Sequence, residues 1–207
     1  MAVGHYHAYF AEGYTGRGYQ EYLSLLNPQT HSVQAHVSIY RLDGTVHAIS
    51  MIVASLSRTT LNMNTLVPRT STSLRVDTTS QIVAERALYY GNGHVVAGAP
   101  APSRRWYVTE GYVGATFSDS LRIFNPGTVT ATVTIAAYRS DGAGRLSQRV
   151  IASGARLNVA LDDIACTGGS ALVIQGNVPI VVESVVGTTS ASGLWWTLLS
   201  RHWGGAV

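Results

Sequence analysis

Apolar and polar positions alternate along this chain in short runs separated by turn-forming residues. Val33 to Tyr40 alternates in this way, and Val129 to Tyr138 does so through Val133, Ile135 and Ala137, with β-branched residues dominating both runs. A period of two places one set of side chains on one face of a sheet, so each run predicts a strand with one buried face. Asp43-Gly44 and Asp141-Gly142 follow these runs and supply the positive φ that a tight hairpin demands. Further strands are predicted at Tyr22 to Leu26, Met51 to Ser55, Thr60 to Met63, Leu74 to Asp77 and Ile82 to Tyr89. Others are expected at Ser120 to Phe124, Gln148 to Ala152, Arg156 to Ala160, Ala171 to Gln175 and Ile180 to Val186. Gly91-Asn92-Gly93 and Gly168-Gly169 read as turns.

The chain lines up with itself. At an offset of 98 residues, Tyr9 to Gly16 recurs as Tyr107 to Gly114, Asn27-Pro28 as Asn125-Pro126, and Tyr40 to Gly44 as Tyr138 to Gly142. Ile82 to Glu85 returns at the same offset as Ile180 to Glu183. Leu61-Asn62-Met63 matches Leu157-Asn158-Val159 at an offset of 96, which implies a two-residue indel between the copies. The expected fold is therefore all-β: two tandem Ig-like β-sandwich modules of about seven strands each, related by internal duplication. Module 1 spans residues 1–103 with an N-terminal arm, and module 2 spans 104–207 with a Trp-rich C-terminal segment. The boundary falls in Gly98-Ala99-Pro100-Ala101-Pro102-Ser103, where proline stiffens the connection and implies a fixed angle between modules.

The strings Tyr9 to Gly16, Leu23 to Pro28, Arg58 to Asn64 and Ile82 to Tyr90 resemble a bacterial repeat family with a Phe-Ala-Glu-Gly signature, found in tandem in large secreted or cell-surface proteins. The resemblance spans nearly the whole chain. It implies an extracellular β-sandwich repeat and carries no assigned catalytic residues. The second copy departs from it with Thr109 in place of the signature alanine, and has Ser184 where the first has Arg86.

Composition sharpens this picture. Only 12% of the residues are charged, about half the usual share, and all fourteen basic residues are arginine. A surface without lysine lacks the mobile, strongly hydrated ammonium that keeps molecules apart, which favours burial against partners. The formal charge of +3 comes from scattered arginines, so no basic stripe marks a nucleic-acid partner. No run approaches 18 apolar residues and Met1 to Phe10 lacks a cationic start, so neither a membrane span nor a signal peptide is expected. The single Cys166 excludes an internal disulfide.

Glu12, Arg58 and Glu85 reappear as Glu110, Arg156 and Glu183. An arginine fork between two carboxylates predicts a buried ion network that fixes how two sheets meet, and its duplication favours architecture. Ligand contact and acid/base catalysis by Glu12 with Glu85 are the competing readings. His5 and His7 with His31 or His36 are candidate metal ligands, and Asp162-Asp163 the one adjacent acidic pair for calcium; a solvated arm and a turn are the simpler readings. No cofactor motif is present. Aromatic material sits at both ends: Tyr6, Tyr9 and Phe10 in the arm, and Leu194, Trp195, Trp196, Leu198, Leu199 and Trp203 near the C-terminus. The arm is expected to add a strand to a neighbour's open edge, and the tryptophans to anchor an interface or pack on their own module.

The expected function is a non-enzymatic structural protein, a self-assembling subunit of an extracellular filament, coat or surface layer, with copies of itself as partner. The alternatives are a carbohydrate-binding or adhesive module whose partner is a surface glycan, and a virion or decoration protein.

Overall fold

A computed structural model describes residues 6–115, 117–142, 144–164 and 168–188. Most of its described residues are in antiparallel strands, and the chain divides into two compact units, Met1–Ala101 and Pro102–Val207.

The first unit holds two four-stranded sheets. One has the order β1 (Tyr6–Phe10), β6 (Thr72–Thr78), β3 (Val33–Arg41), β4 (Val46–Val53). The other runs β5 (Ser57–Asn62), β2 (Gln20–Asn27), β7 (Val83–Tyr90), β8 (Asn92–Ala97). One turn of helix, α1 (Met63–Leu66), follows β5. Alternation decides which side chains go inside: Val33, Ala35, Val37 and Ile39 of β3 are buried with Leu74 and Val76 of β6 and with Leu23 and Leu25 of β2. The sheets are tied across the core as well, since Thr72 of β6 donates to Glu21 of β2.

In the second unit β14 (Gly168–Thr188) is one 21-residue strand serving both sides. Its first part pairs with β9 (Ser103–Val113) and with β11 (Ala131–Arg139), which in turn pairs with β12 (Gly144–Ile151). Its second part pairs with β10 (Phe117–Phe124), whose other neighbour is β13 (Arg156–Ala160). The sequence pattern divides this stretch into two strands, and the first unit does divide there, into β6 and β7.

The ladders of the two units repeat each other at a constant offset of 98. Val37 opposite Ile49 and Val76 becomes Ile135 opposite Ser147 and Ile174, while Leu23 opposite Leu61 and Arg86 becomes Leu121 opposite Val159 and Ser184. Leu61 is thus equivalent to Val159, and the expected two-residue indel does not exist. A shift of two residues returns every side chain to the same face, so the hydrophobic pattern reads equally well in either register.

Other boundaries also move. The described part of the N-terminal arm is not free: Tyr6–Phe10 is β1, paired with β6 rather than with a neighbour, and Tyr9 exchanges backbone hydrogen bonds with Ala99 on its other side. Gly98 and Ala99 therefore belong to the body of the first unit. Gly91, at φ +69°, makes the turn between β7 and β8, but Asn92 and Gly93 already pair with Tyr90 and Tyr89.

Two local devices account for recurring dipeptides. Gly44 and Gly142, at φ +82° and +78°, close the β3–β4 and β11–β12 hairpins by donating to the carbonyls of Arg41 and Arg139. The Asn-Pro pairs end β2 and its counterpart. Asn27 is fully buried; its Nδ2 donates to the carbonyls of His31, Val53 and Ala54 at 2.9–3.0 Å, and its Oδ1 accepts from Gln29 N at 2.9 Å. Asn125 repeats this with Val129, Ile151, Ala152 and Gly127. The side chain thus satisfies backbone groups where one sheet's strand ends beside the other's. Asn27→Ala strands those carbonyls and is expected to destabilise the first unit by about 1–3 kcal/mol, read as a lower urea midpoint; Asn125→Ala should do the same for the second.

Candidate functional site

The chemistry-bearing residues gather where β1 leaves its sheet. Phe10 and Ala11 are fully buried, and Ala11 O accepts from Ser73 Oγ at 2.8 Å. The chain then turns Glu12 inward. Its Oε2 accepts from Arg86 Nη2 at 3.0 Å, Arg86 Nη1 donates to the Glu12 carbonyl, and His94 Nε2 of β8 lies 3.3 Å from the same carboxylate oxygen. Arg86 has no exposed surface, so this is a buried ion pair whose charges cancel locally.

Gly13 comes next because nothing larger fits. A Cβ there would stand 2.0 Å from Thr72 Oγ1 and 2.5 Å from Glu21 Oε1. Glu21 is a second fully buried carboxylate, hydrogen-bonded by the Thr72 hydroxyl at 3.0 and 3.1 Å, while its backbone N–H donates to Asn64 Oδ1 at 2.8 Å. Each residue of the Phe-Ala-Glu-Gly string therefore has a separate physical duty: core, core, ion pair, close approach.

The second unit keeps the glycine and the buried acid but drops the pair. Gly111 lies against Asp119, whose equivalent is Glu21. Ser184 stands in the place of Arg86 and donates to Asp119 Oδ1 at 3.0 Å, and Glu110, with no arginine beside it, is exposed. Burial pushes the Asp119 carboxyl up to about 6, against the hydrogen bond from Ser184 that favours its charged form.

These positions correct the expected ion network. Glu12 meets Arg86, not Arg58. Arg58 lies on edge strand β5 and Glu85 on the outer side of β7, and both face solvent. Glu85 and Arg86 are neighbours on one strand, so only one of them can point into the core. The acid/base geometry expected of Glu12 with Glu85 is absent, because one is buried against a guanidinium and the other is on the opposite face. In the second unit Glu183 is buried across from Arg122, Arg156 is half-buried and Glu110 is exposed. Sequence reading misses His94, and its one signal for Arg86 is a difference: serine stands at the matching position, Ser184, in the second unit.

The proposed interface also changes. Phe10 is a core residue, and Tyr9 is buried under Arg75, whose guanidinium carbon is 5.8 Å from the ring centre; Tyr6 is exposed. Leu194, Trp195, Trp196, Leu198, Leu199, Trp203 and Cys166 lie outside the described residues, as does His5.

The histidines do not converge. His7 Nδ1 is 2.6 Å from Asp77 Oδ1, which also accepts from Arg75 Nε at 2.9 Å; His36 Nδ1 is 3.0 Å from Ser50 Oγ, and His31 Nε2 3.2 Å from Ser80 Oγ. His7, Asp77, His36 and Ser50 form one cross-strand row on the outer face of the first sheet, along an open groove of about 670 Å³. Among the described residues no three His, Cys, Asp or Glu side chains are grouped to hold a metal ion. Asp162 and Asp163 are exposed in a 3₁₀ turn. No described helix is long and apolar enough to cross a membrane.

The fold and these buried ionic contacts define an all-β protein of antiparallel sheets whose inward-facing charges join strands. The chain belongs to a family of unknown function, DUF5719, whose model matches residues 5–193. Among solved structures it is similar to Thermotoga maritima 1070, at 19% identity over 49% of this chain and 94% of that one, with a TM-score of 0.46. No curated protein matches it.

Two predictions follow from the buried acids. Arg86→Ser leaves the Glu12 carboxylate buried without its guanidinium and is expected to cost about 3–5 kcal/mol, part of which returns when Glu12→Ala is added. A double-mutant cycle by urea denaturation reads this out. For Asp119, the folded carboxyl titrates at about 6 and the ordinary value is 3.8, so the folded state holds the proton more tightly. Stability from this group is fully present below about pH 4 and is lost as the pH rises through 6. Asp119→Asn should therefore remove that slope and raise stability at pH 7.5 by up to about 3 kcal/mol, measured as urea midpoints at pH 4.5 and 7.5.

Proposed function

We propose that this chain is a structural, self-assembling protein: a repeating subunit of an extracellular filament, coat or surface layer, built from two copies of one Ig-like β-sandwich module. The observation that carries the reading is the division of labour between inside and outside. Inward-facing charge at the end of β1 is taken up in a strand-joining contact, Glu12 with Arg86 and His94. Outward-facing strand positions instead present large apolar and aromatic groups: Val46, Ile52, Tyr107, Tyr138, Leu146 and Val150 are all more than a third exposed. A surface so poor in charge and free of lysine favours association of copies. The recurrence of one ladder register at an offset of 98 supports duplication of a single module, and the resemblance to a tandem bacterial repeat with the Phe-Ala-Glu-Gly signature supports the cell exterior as its setting.

A carbohydrate-binding or adhesive role is the second reading. Its support is a tyrosine cluster in the first unit, where Tyr19 stacks on Tyr90 at 4.4 Å between ring centres and meets Tyr14 edge-on at 4.8 Å, with Tyr14 and Tyr90 exposed. Rings of this kind stack against sugar faces. A glycan-array signal abolished by Tyr90→Ala would favour this role.

Negative-stain electron microscopy of the purified chain across a range of concentrations tests the first reading. Regular filaments, rings or sheets are expected. Single monodisperse particles at every concentration would overturn it.

A further inference from the structure

Among the described residues of its unit, strand β4 ends its sheet, with β3 on one side and no strand on the other. Its sequence, Val-His-Ala-Ile-Ser-Met-Ile-Val, is eight residues long and has no Lys, Arg, Asp, Glu or Pro. An antiparallel ladder leaves alternate backbone N–H and C=O groups of an edge strand pointing outward, and an edge this long and uncharged is open to another strand.

The second unit contains the control. At the offset of 98, β12 is the equivalent of β4, and its sequence Gly-Arg-Leu-Ser-Gln-Arg-Val-Ile carries Arg145 and Arg149 where β4 has His47 and Met51. These positions have the parity of the core-facing residues: His47 is opposite Ile39 and Met51 opposite Ala35, while Arg145 is opposite Ala137 and Arg149 opposite Val133. Charges on the inward parity of an edge strand are a known defence against edge-to-edge pairing. One of the two equivalent edges is guarded and the other is not.

β4 is also self-complementary. When two β4 strands run antiparallel with Ile49 facing Ile49 across a two-fold axis, Ala48 falls opposite Ser50, His47 opposite Met51 and Val46 opposite Ile52. Every pair then shares a face, and Val46 and Ile52, 52% and 66% exposed, cover one another. In the same register two β12 strands would set Arg145 opposite Arg149, with like charges directly opposed. Charge thus permits the pairing in the first unit and opposes it in the second.

We propose that β4 of one chain pairs antiparallel with β4 of a second copy, joining the two edge sheets into one continuous sheet about a two-fold axis centred on Ile49. This names the contact for the assembly reading above and rests on it. An isologous contact of this kind makes pairs, so any larger assembly needs a second, different surface.

The test is sedimentation velocity of the full chain across concentrations, comparing the parent with the double variant His47→Arg, Met51→Arg, which gives β4 the residues that β12 already tolerates. Circular dichroism should be unchanged, and self-association should weaken by about tenfold or more. Register is read separately, in a Cys166→Ser background. Ile49→Cys is expected to form a disulfide-linked dimer on mild oxidation, and Val46→Cys, remote from its own copy in this register, is not. If the parent assembles and the arginine variant assembles equally well, the β4 contact is wrong while the assembly reading stands. If the parent is a monomer at every concentration, both fall. If cross-linking of Val46→Cys matches that of Ile49→Cys, the register is overturned.

Discussion

The first unit depends on bringing a carboxylate into a sheet interior beside a backbone that has no side chain. Glu21 reaches the Thr72 hydroxyl only because Gly13 leaves room, and Gly13 is placed there by a chain that has just turned Glu12 inward onto Arg86. Burying an unpaired charge costs several kcal/mol, so this end of the unit holds together only if its hydrogen bonds and its ion pair form at once. A string of four residues thereby fixes β1 against β6 and β6 against β2.

The second unit shows what is separable in that arrangement. The second unit has Ser184 at the position matching Arg86, and its Glu110 is exposed. The shorter acid Asp119 takes the serine hydroxyl instead. Gly111 remains, since the approach to a buried carboxyl still needs the space. Burial pushes the Asp119 carboxyl up to about 6. Two solutions to one packing problem coexist in the same chain, and their difference says more about the role of Arg86 than either alone.

The same comparison separates the edges. β4 and β12 occupy equivalent places in their sheets and differ by two arginines on the core-facing parity. The two units thus differ in their interior, through the identity of buried polar groups, and at their edge, through charge.

Much of the fold is legible in the residues because strand geometry is local. Alternation locates β3 and β11, and the Asp-Gly pairs locate both hairpins. The Asn-Pro pairs are legible as part of the repeat, but only the structure shows Asn27 and Asn125 satisfying the backbone carbonyls around them. Pairing is not local. A period of two cannot distinguish an offset of 96 from 98, so the apparent indel vanished only when Leu61 and Val159 were seen opposite equivalent partners. Nor can a list of acidic and basic residues say which neighbour faces inward, which is why the sequence reading groups Glu12 with Arg58 and Glu85 and leaves Arg86 out. That choice belongs to the tertiary structure, where burial decides which charge must find a partner and which can stay in water.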